Sequence, residues 1–346
     1  MAIWGHTEKG EAVPIYTLTS GKIEVRVTAY GARLVSIKTP DRNGKVEDIV
    51  LGYDSLQDYL KPNPYFGAIV GRYGNRIGQG KFSIDGKHYQ IPINNGPNAL
   101  HGGPVGFDKH VWQSHEVPDG VEFTHVSPDG DMGFPGKLTA KVKYTLAGNT
   151  LRIDYYATTD KPTILNLTNH AYFNLHGNDK GNVLDQEIEL NADKYTPTDA
   201  GLIPTGKEDP VAGTPLDFRK LTPIGARIND NFEALKYAGG YDQNFIVNGK
   251  PGTLRLAAIA EDPVSGRKMT VDTTQPGVQF YSGNFLDGTL TGRHGIKYQK
   301  HSAFCLETQH FPDSPNHPNF PSAVLRPGET FHQTTTYTFN TIGAAK

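Results

Sequence analysis

One run of the sequence alternates apolar and polar side chains over seven residues: Leu138-Thr139-Ala140-Lys141-Val142-Lys143-Tyr144. Alternation with a period of two is typical of a β-strand that buries one face and exposes the other to solvent. The same pattern follows over residues 151–156 and occurs earlier over residues 22–27. These runs predict antiparallel strands, because antiparallel sheets commonly have one buried and one solvated face.

Turn signals separate such runs along the whole chain. Glycine (39) and proline (24) are abundant. Six dipeptides favour tight turns: Asn43-Gly44, Asp85-Gly86, Asp119-Gly120, Asp129-Gly130, Asn248-Gly249 and Asp287-Gly288. Helical signals are confined to two short segments, residues 55–60, with a cap near Asp54, and residues 231–237.

No repeat, low-complexity tract or linker divides the chain. The polar stretch over residues 196–230 is predicted to be a long ordered excursion. The sequence therefore predicts an all-β fold, a large antiparallel β-sandwich with few short helices, formed by a single domain over residues 1–346.

The charge balance argues against nucleic acid and membrane partners. The 346 residues include 34 basic and 36 acidic side chains, for a net charge of -2, without a block of like charge. No apolar run approaches the roughly 18 residues that span a bilayer, and the N-terminus lacks a signal-sequence pattern, so we expect a cytoplasmic protein. The sequence leaves open whether the chain is a monomer or a homodimer.

The single cysteine, Cys305, excludes an intramolecular disulfide. Its neighbours Phe304 and Leu306 are apolar, and no basic residue lies nearby in the sequence to form a thiolate. We therefore predict a small buried side chain and not a nucleophile.

The most informative stretch for function is residues 166–175, which read Asn-Leu-Thr-Asn-His-Ala-Tyr-Phe-Asn-Leu. With a period of two, one face is apolar and the other carries Asn166, Thr168, His170, Tyr172 and Asn174. We predict a buried strand with a polar floor that contains a titratable imidazole. A second apolar strand, within residues 303–313, is predicted to end at the Glu307 carboxylate before a proline-rich turn. A histidine and a glutamate are a usable acid and base.

Four segments rich in glycine or turn residues supply further candidates: Asn75 and Arg76 in residues 71–80, His101 in residues 94–103, Asp242 in residues 239–245, and Gln279 with Phe285 in residues 278–287. The glycines of the first segment let the backbone turn tightly, so that its two polar side chains project into a groove.

Each candidate also has a purely structural interpretation. A lone loop histidine is more often a surface group, and a histidine in a strand can face solvent. Asn and Asp often form turns by bonding their own backbone, and a surface Arg ion pair is worth little. Glu307 could be an exposed carboxylate, and Phe285 could belong to the core. The functional interpretation rests on the joint occurrence of these residues.

Other chemistries lack their signatures. The segment over residues 71–80 has neither the Gly-Lys-Ser/Thr ending of a phosphate-binding loop nor the GxGxxG spacing of a dinucleotide site. There is no HExxH pattern, and His310 and His317 are separated by two prolines, so we predict no metal. The GxSxG elbow of a serine hydrolase is also absent.

The candidate segments occur together in an order that resembles the galactose mutarotase (aldose 1-epimerase) family over nearly the whole chain. The matching segments are residues 71–80, 94–103, 133–136, 166–175, 240–245, 283–286 and 307–316. The resemblance implies the large β-supersandwich of that family, an open sugar groove, and interconversion of the α and β anomers of hexoses, notably galactose and glucose.

By the same resemblance His170 is the general acid, Glu307 the general base, and His101 a second histidine at the reacting end of the sugar. The resemblance also implies that Asn75, Arg76, Asp242 and Gln279 hold sugar hydroxyls. Phe285 is our candidate for an aromatic platform under the apolar face of the sugar.

Anomer interconversion needs one proton removed from the C1 hydroxyl and another delivered to the ring oxygen, so we expect no cofactor. Ordinary pKa values of about 4.3 for glutamate and about 6.5 for histidine already give a carboxylate and an imidazolium near neutral pH. We therefore expect only mild tuning of the pair. Two alternatives remain open, a glycoside hydrolase that uses Asp242 with Glu307, and a carbohydrate-binding module.

Overall fold

Strands dominate a computed structural model of the chain, which describes residues 1–343. Residues 344–346, the end of the predicted single domain, lie outside the described range. Within that range there are 27 strands, numbered in chain order: β1 (Ala2–His6), β2 (Ala12–Ser20), β3 (Ile23–Thr28), β4 (Arg33–Pro40), β5 (Val46–Asp48), β6 (Ile69–Val70), β7 (Arg76–Ile77), β8 (Lys81–Ile84), β9 (Lys87–Gln90), β10 (Ala99–Leu100), β11 (Gln113–Val117), β12 (Gly120–Ser127), β13 (Leu138–Ala147), β14 (Thr150–Thr159), β15 (Thr163–Ile164), β16 (Thr168–Asn169), β17 (Glu187–Leu190), β18 (Lys194–Thr196), β19 (Asp209–Pro210), β20 (Thr222–Pro223), β21 (Asp242–Ile246), β22 (Arg255–Glu261), β23 (Arg267–Thr273), β24 (Gly277–Tyr281), β25 (Cys305–Gln309), β26 (Val324–Leu325) and β27 (Phe331–Thr341).

Helices are few and short in the same range. The α-helices are α1 (Leu56–Leu60) and α2 (Glu233–Ala238). Six 3-10 turns span Gly78–Gly80, Phe107–Lys109, Asp131–Gly133, Ile224–Ala226, Arg293–Gly295 and Ser314–Asn316. Among the described residues, no helix has the length and apolar character needed to cross a lipid bilayer. Both predicted helices are present, although the side chain that caps α1 belongs to Ser55 and not to Asp54.

The alternating runs of the sequence form the strands predicted for them. β13 and β14 pair antiparallel from Leu138 opposite Thr159 to Ala147 opposite Thr150. Buried and more exposed residues alternate along β13, because one face packs on the core. The Asp85-Gly86 dipeptide joins β8 to β9 in a tight hairpin, as predicted.

Three large antiparallel sheets make up the fold. The first contains β1 to β5 in chain order, the second has the order β11-β12-β13-β14-β27-β23-β22-β17-β20, and the third has the order β19-β18-β21-β24-β25. The prediction of a large antiparallel β-sandwich is therefore confirmed. The excursion over residues 196–230 is ordered as predicted, and β19 and β20 within it pair onto the edges of two sheets.

The nine-stranded sheet packs against both five-stranded sheets. At the first sheet the Tyr144 hydroxyl donates to the Ala32 carbonyl at 2.8 Å, and the rings of Tyr16 and Phe123 lie 6.0 Å apart. At the third sheet the hydroxyls of Thr308 and Thr335 lie 2.6 Å apart. Both contacts lie on one face of the nine-stranded sheet, because Tyr144 pairs with Ile153 and Ile153 pairs with Thr335. A core of buried apolar side chains extends from Val13 to Phe339 across these contacts. The third sheet is therefore backed by a rigid layer.

The prediction of a regular strand over residues 166–175 is wrong. Only β16 is a strand there, paired with β6, and residues 165–175 are buried on both sides. The asparagines prevent regular pairing because they bond backbone groups of other segments: the Asn166 amide donates to the carbonyls of Gly74 and His310. The predicted end of the second strand at Glu307 is also wrong, since Glu307 lies in the middle of β25.

Candidate active site

One face of the third sheet carries three of the predicted polar residues. Asp242 is the first residue of β21, and Gln279 of β24 lies directly opposite Glu307 of β25. Paired residues in an antiparallel sheet point to the same side, so these side chains share a face with Asn244, which lies opposite Gln279. All four are at most 7% exposed.

A chain of hydrogen bonds fixes the amides and the aspartate on this face. The Gln309 amide donates to the Gln279 carbonyl oxygen at 2.9 Å, and the Gln279 amide donates to Asp242 Oδ1 at 2.8 Å. The second oxygen of Asp242 lies 3.9 Å from Arg76 Nη1. Asp242 is thus held between an amide donor and a guanidinium.

His101 is held by the backbone of Asn75. The backbone N–H of His101 donates to the backbone carbonyl of Asn75 at 3.1 Å. The backbone N–H of Asn75 donates to the ring nitrogen Nδ1 of His101 at 3.0 Å. Because Nδ1 accepts a hydrogen bond, the neutral ring carries its proton on Nε2, which becomes a donor. Both residues have positive φ angles, 50° and 64°, so the loop is held in a conformation that few L-residues adopt.

His170 is anchored by its backbone and by aromatic rings. Its N–H donates to the Ala68 carbonyl at 2.8 Å, and its own carbonyl accepts from the Gly67 N–H at 3.0 Å. The imidazole stacks on Tyr172, with ring centres 5.0 Å apart, and faces the ring of Tyr65 at 5.8 Å.

The fold brings the two predicted proton-transfer groups together. His170 Nε2 lies 3.6 Å from Glu307 Oε2, although the two residues come from remote parts of the chain. Glu307 Oε2 is buried and has no hydrogen-bond partner within residues 1–343. The other ring nitrogen, His170 Nδ1, lies 3.7 Å from the buried sulfur of Cys305. The prediction that Cys305 is buried is therefore confirmed.

Seven of the eight predicted site residues line one pocket. These residues are Asn75, Arg76, His101, His170, Asp242, Phe285 and Glu307. Gln279 is the exception, because it lies behind Asp242 and contacts it. Phe285 is 60% exposed and is not a core residue, so its ring is available at the mouth of the pocket.

Burial shifts the charge equilibrium of the pair. Burial raises the pKa of Glu307 well above its ordinary value, and the Asp242 charge adds to the rise while Arg76 opposes it. Burial lowers the pKa of His170 to about 4. The expectation of only mild tuning of the pair is therefore wrong, because the sequence does not reveal the depth of the pocket.

Burial also favours the neutral forms of His101 and Asp242. Burial lowers the pKa of His101 well below its ordinary value, with further lowering from His170 and Arg76. Burial raises the pKa of Asp242, while Arg76 and the hydrogen bond from Gln279 oppose the rise. Burial therefore favours neutral histidines in the pocket. Arg76 is the only guanidinium among the side chains that line it.

Sequence reasoning assigned no site role to several pocket residues, including Tyr65, Tyr172 and Tyr281. Alternation along the strand could have predicted Tyr281, because it lies two positions after Gln279 and therefore on the same strand face. Tyr65 was not, because its loop position depends on a φ angle of 64°. In addition, His101, His170 and Glu307 each place one donor atom within 4.8 Å of the others, a set that could hold a metal ion.

Known proteins share this fold and sequence pattern. The structure of an aldose epimerase homologue from C. elegans superposes with a TM-score of 0.89 at 32% identity, over 96% of this chain and 100% of the other. That of a galactose 1-epimerase from Lactobacillus acidophilus gives 0.86 at 30% identity, over 98% of each chain. The fold is thus of the galactose mutarotase-like class.

The sequence comparison is more specific. Residues 14–338 match the model of the aldose 1-epimerase family. A galactose mutarotase from Bos taurus is 46% identical over 340 residues, which cover 98% of each chain. The chain therefore belongs to the aldose 1-epimerase family.

Proposed function

We propose that this protein is an aldose 1-epimerase, a mutarotase that interconverts the α and β anomers of hexoses, with galactose and glucose as substrates. The observation that carries the proposal is the pair formed by His170 Nε2 and Glu307 Oε2, 3.6 Å apart in one pocket. The two oxygens that exchange protons in the reaction are both bonded to C1, so an acid and a base must approach from adjacent positions. Such an enzyme serves hexose metabolism, including that of galactose.

The reaction begins with ring opening. The Glu307 carboxylate removes the proton from the C1 hydroxyl, and the His170 imidazolium gives its Nε2 proton to the ring oxygen. The C1–O5 bond breaks, so that C1 becomes an aldehyde and O5 a hydroxyl. Rotation about C1–C2 presents the other face of the aldehyde, and the ring closes as both protons return. Each proton transfer contributes about 10² to 10⁴ in rate.

The pair holds one titratable proton throughout, either as glutamic acid with neutral imidazole or as carboxylate with imidazolium. Burial favours the neutral arrangement in the free pocket, since it raises the pKa of Glu307 and lowers that of His170. Glu307 Oε2 is an acceptor with no partner in the described range. A hydrogen bond from the C1 hydroxyl favours the carboxylate and moves the shared proton to His170.

His101 and Arg76 stabilise the negative charge that develops on a sugar oxygen. His101 does so as a neutral donor, because its Nδ1 is occupied by the Asn75 N–H and its proton is on Nε2. Arg76 Nε donates to the Asn95 side chain at 3.1 Å, which holds the guanidinium at the pocket wall.

Asp242 and Asn75 bind sugar hydroxyls and fix the ring against the pair. Gln279 acts behind them by orienting the Asp242 carboxylate through the 2.8 Å hydrogen bond. The exposed ring of Phe285 offers an apolar surface to the C–H face of the sugar.

Polarimetry tests this proposal directly. We expect the optical rotation of freshly dissolved α-galactose and α-glucose to reach equilibrium faster in proportion to the protein added. A panel that adds xylose and glucose 6-phosphate measures the preference among sugars. The matched control is a nitrophenyl galactoside, from which a glycoside hydrolase releases nitrophenol and a mutarotase does not.

Two results would contradict the proposal. Release of nitrophenol without faster mutarotation indicates a glycoside hydrolase. Saturable sugar binding without either reaction indicates a carbohydrate-binding module.

A further inference from the structure

A second cluster of histidine and carboxylate side chains lies outside the pocket. His110, His125 and Asp131 each place one possible ligand atom within 4.8 Å of the others. None of the three lines the candidate active site. The spacing of these residues in the sequence carries no metal signature, so the cluster exists only through the fold.

The three residues of the cluster come from three separate backbone elements. His110 follows the 3-10 turn Phe107–Lys109, and its carbonyl accepts from the Gly31 N–H at 2.8 Å. His125 belongs to β12 and points to the same side as the core residue Phe123, two positions earlier. Asp131 begins a 3-10 turn and accepts a hydrogen bond from the Ser127 hydroxyl at 2.6 Å.

Both histidines present a buried nitrogen without a partner. Nε2 of His110 and Nε2 of His125 are inaccessible to solvent and form no hydrogen bond with any group in residues 1–343. The imidazoles stack with ring centres 4.7 Å apart, and His125 also contacts the rings of Phe107 and Trp112. Buried polar atoms are nearly always paired, so two unpaired nitrogens on histidines that share a cluster with a carboxylate leave room for a common partner.

We propose that His110, His125 and Asp131 bind a divalent transition-metal ion of the zinc type. Two imidazoles and a carboxylate are a donor set that suits zinc, with water in the fourth position. Ligand atoms about 2.0–2.2 Å from an ion lie at most about 4 Å apart, so binding requires the ligand atoms to move closer and the stacked imidazoles to rotate until one nitrogen of each faces the ion.

The charged side chains around the cluster are compatible with a bound cation. Arg72 is an opposing cation, and its guanidinium donates to the Ser127 hydroxyl that also bonds Asp131. Asp131, Asp129 and Asp160 all act electrostatically on Arg72 and offset part of its charge. Asp131 therefore remains available to the ion with its second carboxylate oxygen.

Titration of the metal-free, full-length protein tests the site. Zinc binding is measured by calorimetry, and cobalt is used as a spectroscopic probe of imidazole ligation. We expect His110→Gln and His125→Gln each to weaken zinc binding at least tenfold. The matched control is His115→Gln, an exposed histidine on β11 that should leave binding unchanged.

The pocket donors could also bind zinc, so Glu307→Gln is titrated in parallel. The proposal requires that this variant keep the binding that His110→Gln loses. Mutarotation by His110→Gln and His125→Gln should stay within about twofold of the wild-type rate, which shows that both variants fold. Asp131→Asn gives an independent loss of affinity through a substitution of equal size.

The proposal is overturned if the wild-type protein takes up no zinc. It is also overturned if zinc binding survives in the two histidine variants and disappears in Glu307→Gln, because the ion then belongs to the pocket.

Discussion

The two sides of the pocket are built in different ways. Asp242 and Glu307 come from adjacent regions of a regular sheet, where ladder hydrogen bonds fix each side chain relative to its neighbours. His101 and His170 come from irregular segments that are held by individual backbone contacts and aromatic rings. The sheet side can supply a base and hydroxyl acceptors at fixed spacing, while the loop side surrounds the imidazoles with apolar groups.

We expect the strongest dependence of the reaction at the contact between the two sides that joins an acid to a base, His170 with Glu307. His170→Asn and Glu307→Gln should each lower kcat by about 10² to 10⁴, because each removes one proton-transfer group. Groups that act as a unit are non-additive, so the double variant should lose little more than the worse single variant. Polarimetry gives the rates, and circular dichroism checks folding.

If the losses of kcat in the two single variants add up in the double variant, the two groups act in separate steps and not as one pair. Retained turnover in either single variant would remove that residue from the chemistry.

The sheet side should also dominate sugar binding. Asp242→Ala removes an acceptor that Arg76 and Gln279 hold in place, and a hydrogen bond to a charged group is worth about 1.5–3 kcal/mol. We expect kcat/KM for galactose to fall by roughly tenfold to a hundredfold, mainly through KM. Initial rates over a range of sugar concentrations separate the two parameters.

Gln309→Ala provides the control for this prediction, because Gln309 supports Gln279 and the Asn75 amide but does not itself line the pocket. It should show a smaller change of the same kind. Unchanged kinetics in Asp242→Ala would remove Asp242 from the site.

The same difference explains what the sequence could reveal. The strands β13 and β14 follow from period-two patterns, and Asp242 and Gln279 were found in segments rich in glycine or turn residues, both of which are local features of the sequence. The course of residues 166–175 does not, because Asn166 replaces strand pairing with contacts to remote carbonyls. His170 was still identified, since a titratable group in a buried segment needs a partner.

The pKa values lay beyond the sequence for a related reason. They depend on how deeply the fold encloses His170 and Glu307, and on the approach of Asp242. The cluster of His110 and His125 was hidden in the same way, because only tertiary packing brings the two rings together.

The smallest expected effect is on the pH dependence of kcat/KM. It tests whether both the sheet side and the loop side of the pocket exclude water. Burial disfavours the doubly protonated pair and the fully deprotonated pair, since each carries net charge, and so widens the range in which one proton is shared. The acid limb of kcat/KM should lie near 4, where His170 protonates in addition to Glu307. The alkaline limb should move to higher pH than in an exposed pair, because burial raises the pKa of Glu307.

A pair with ordinary pKa values behaves differently, because it loses activity above pH 6.5 by about tenfold per pH unit as the imidazolium deprotonates. Rates measured from pH 4 to pH 9 against uncatalysed controls decide between the two. Unfolded histidine takes up protons below about 6.5 and folded His170 only near 4, so stability falls as the pH drops between these values. Near-ultraviolet circular dichroism at each pH therefore separates unfolding from the acid limb, and an alkaline limb at 6.5 would show that the loop side is open to water.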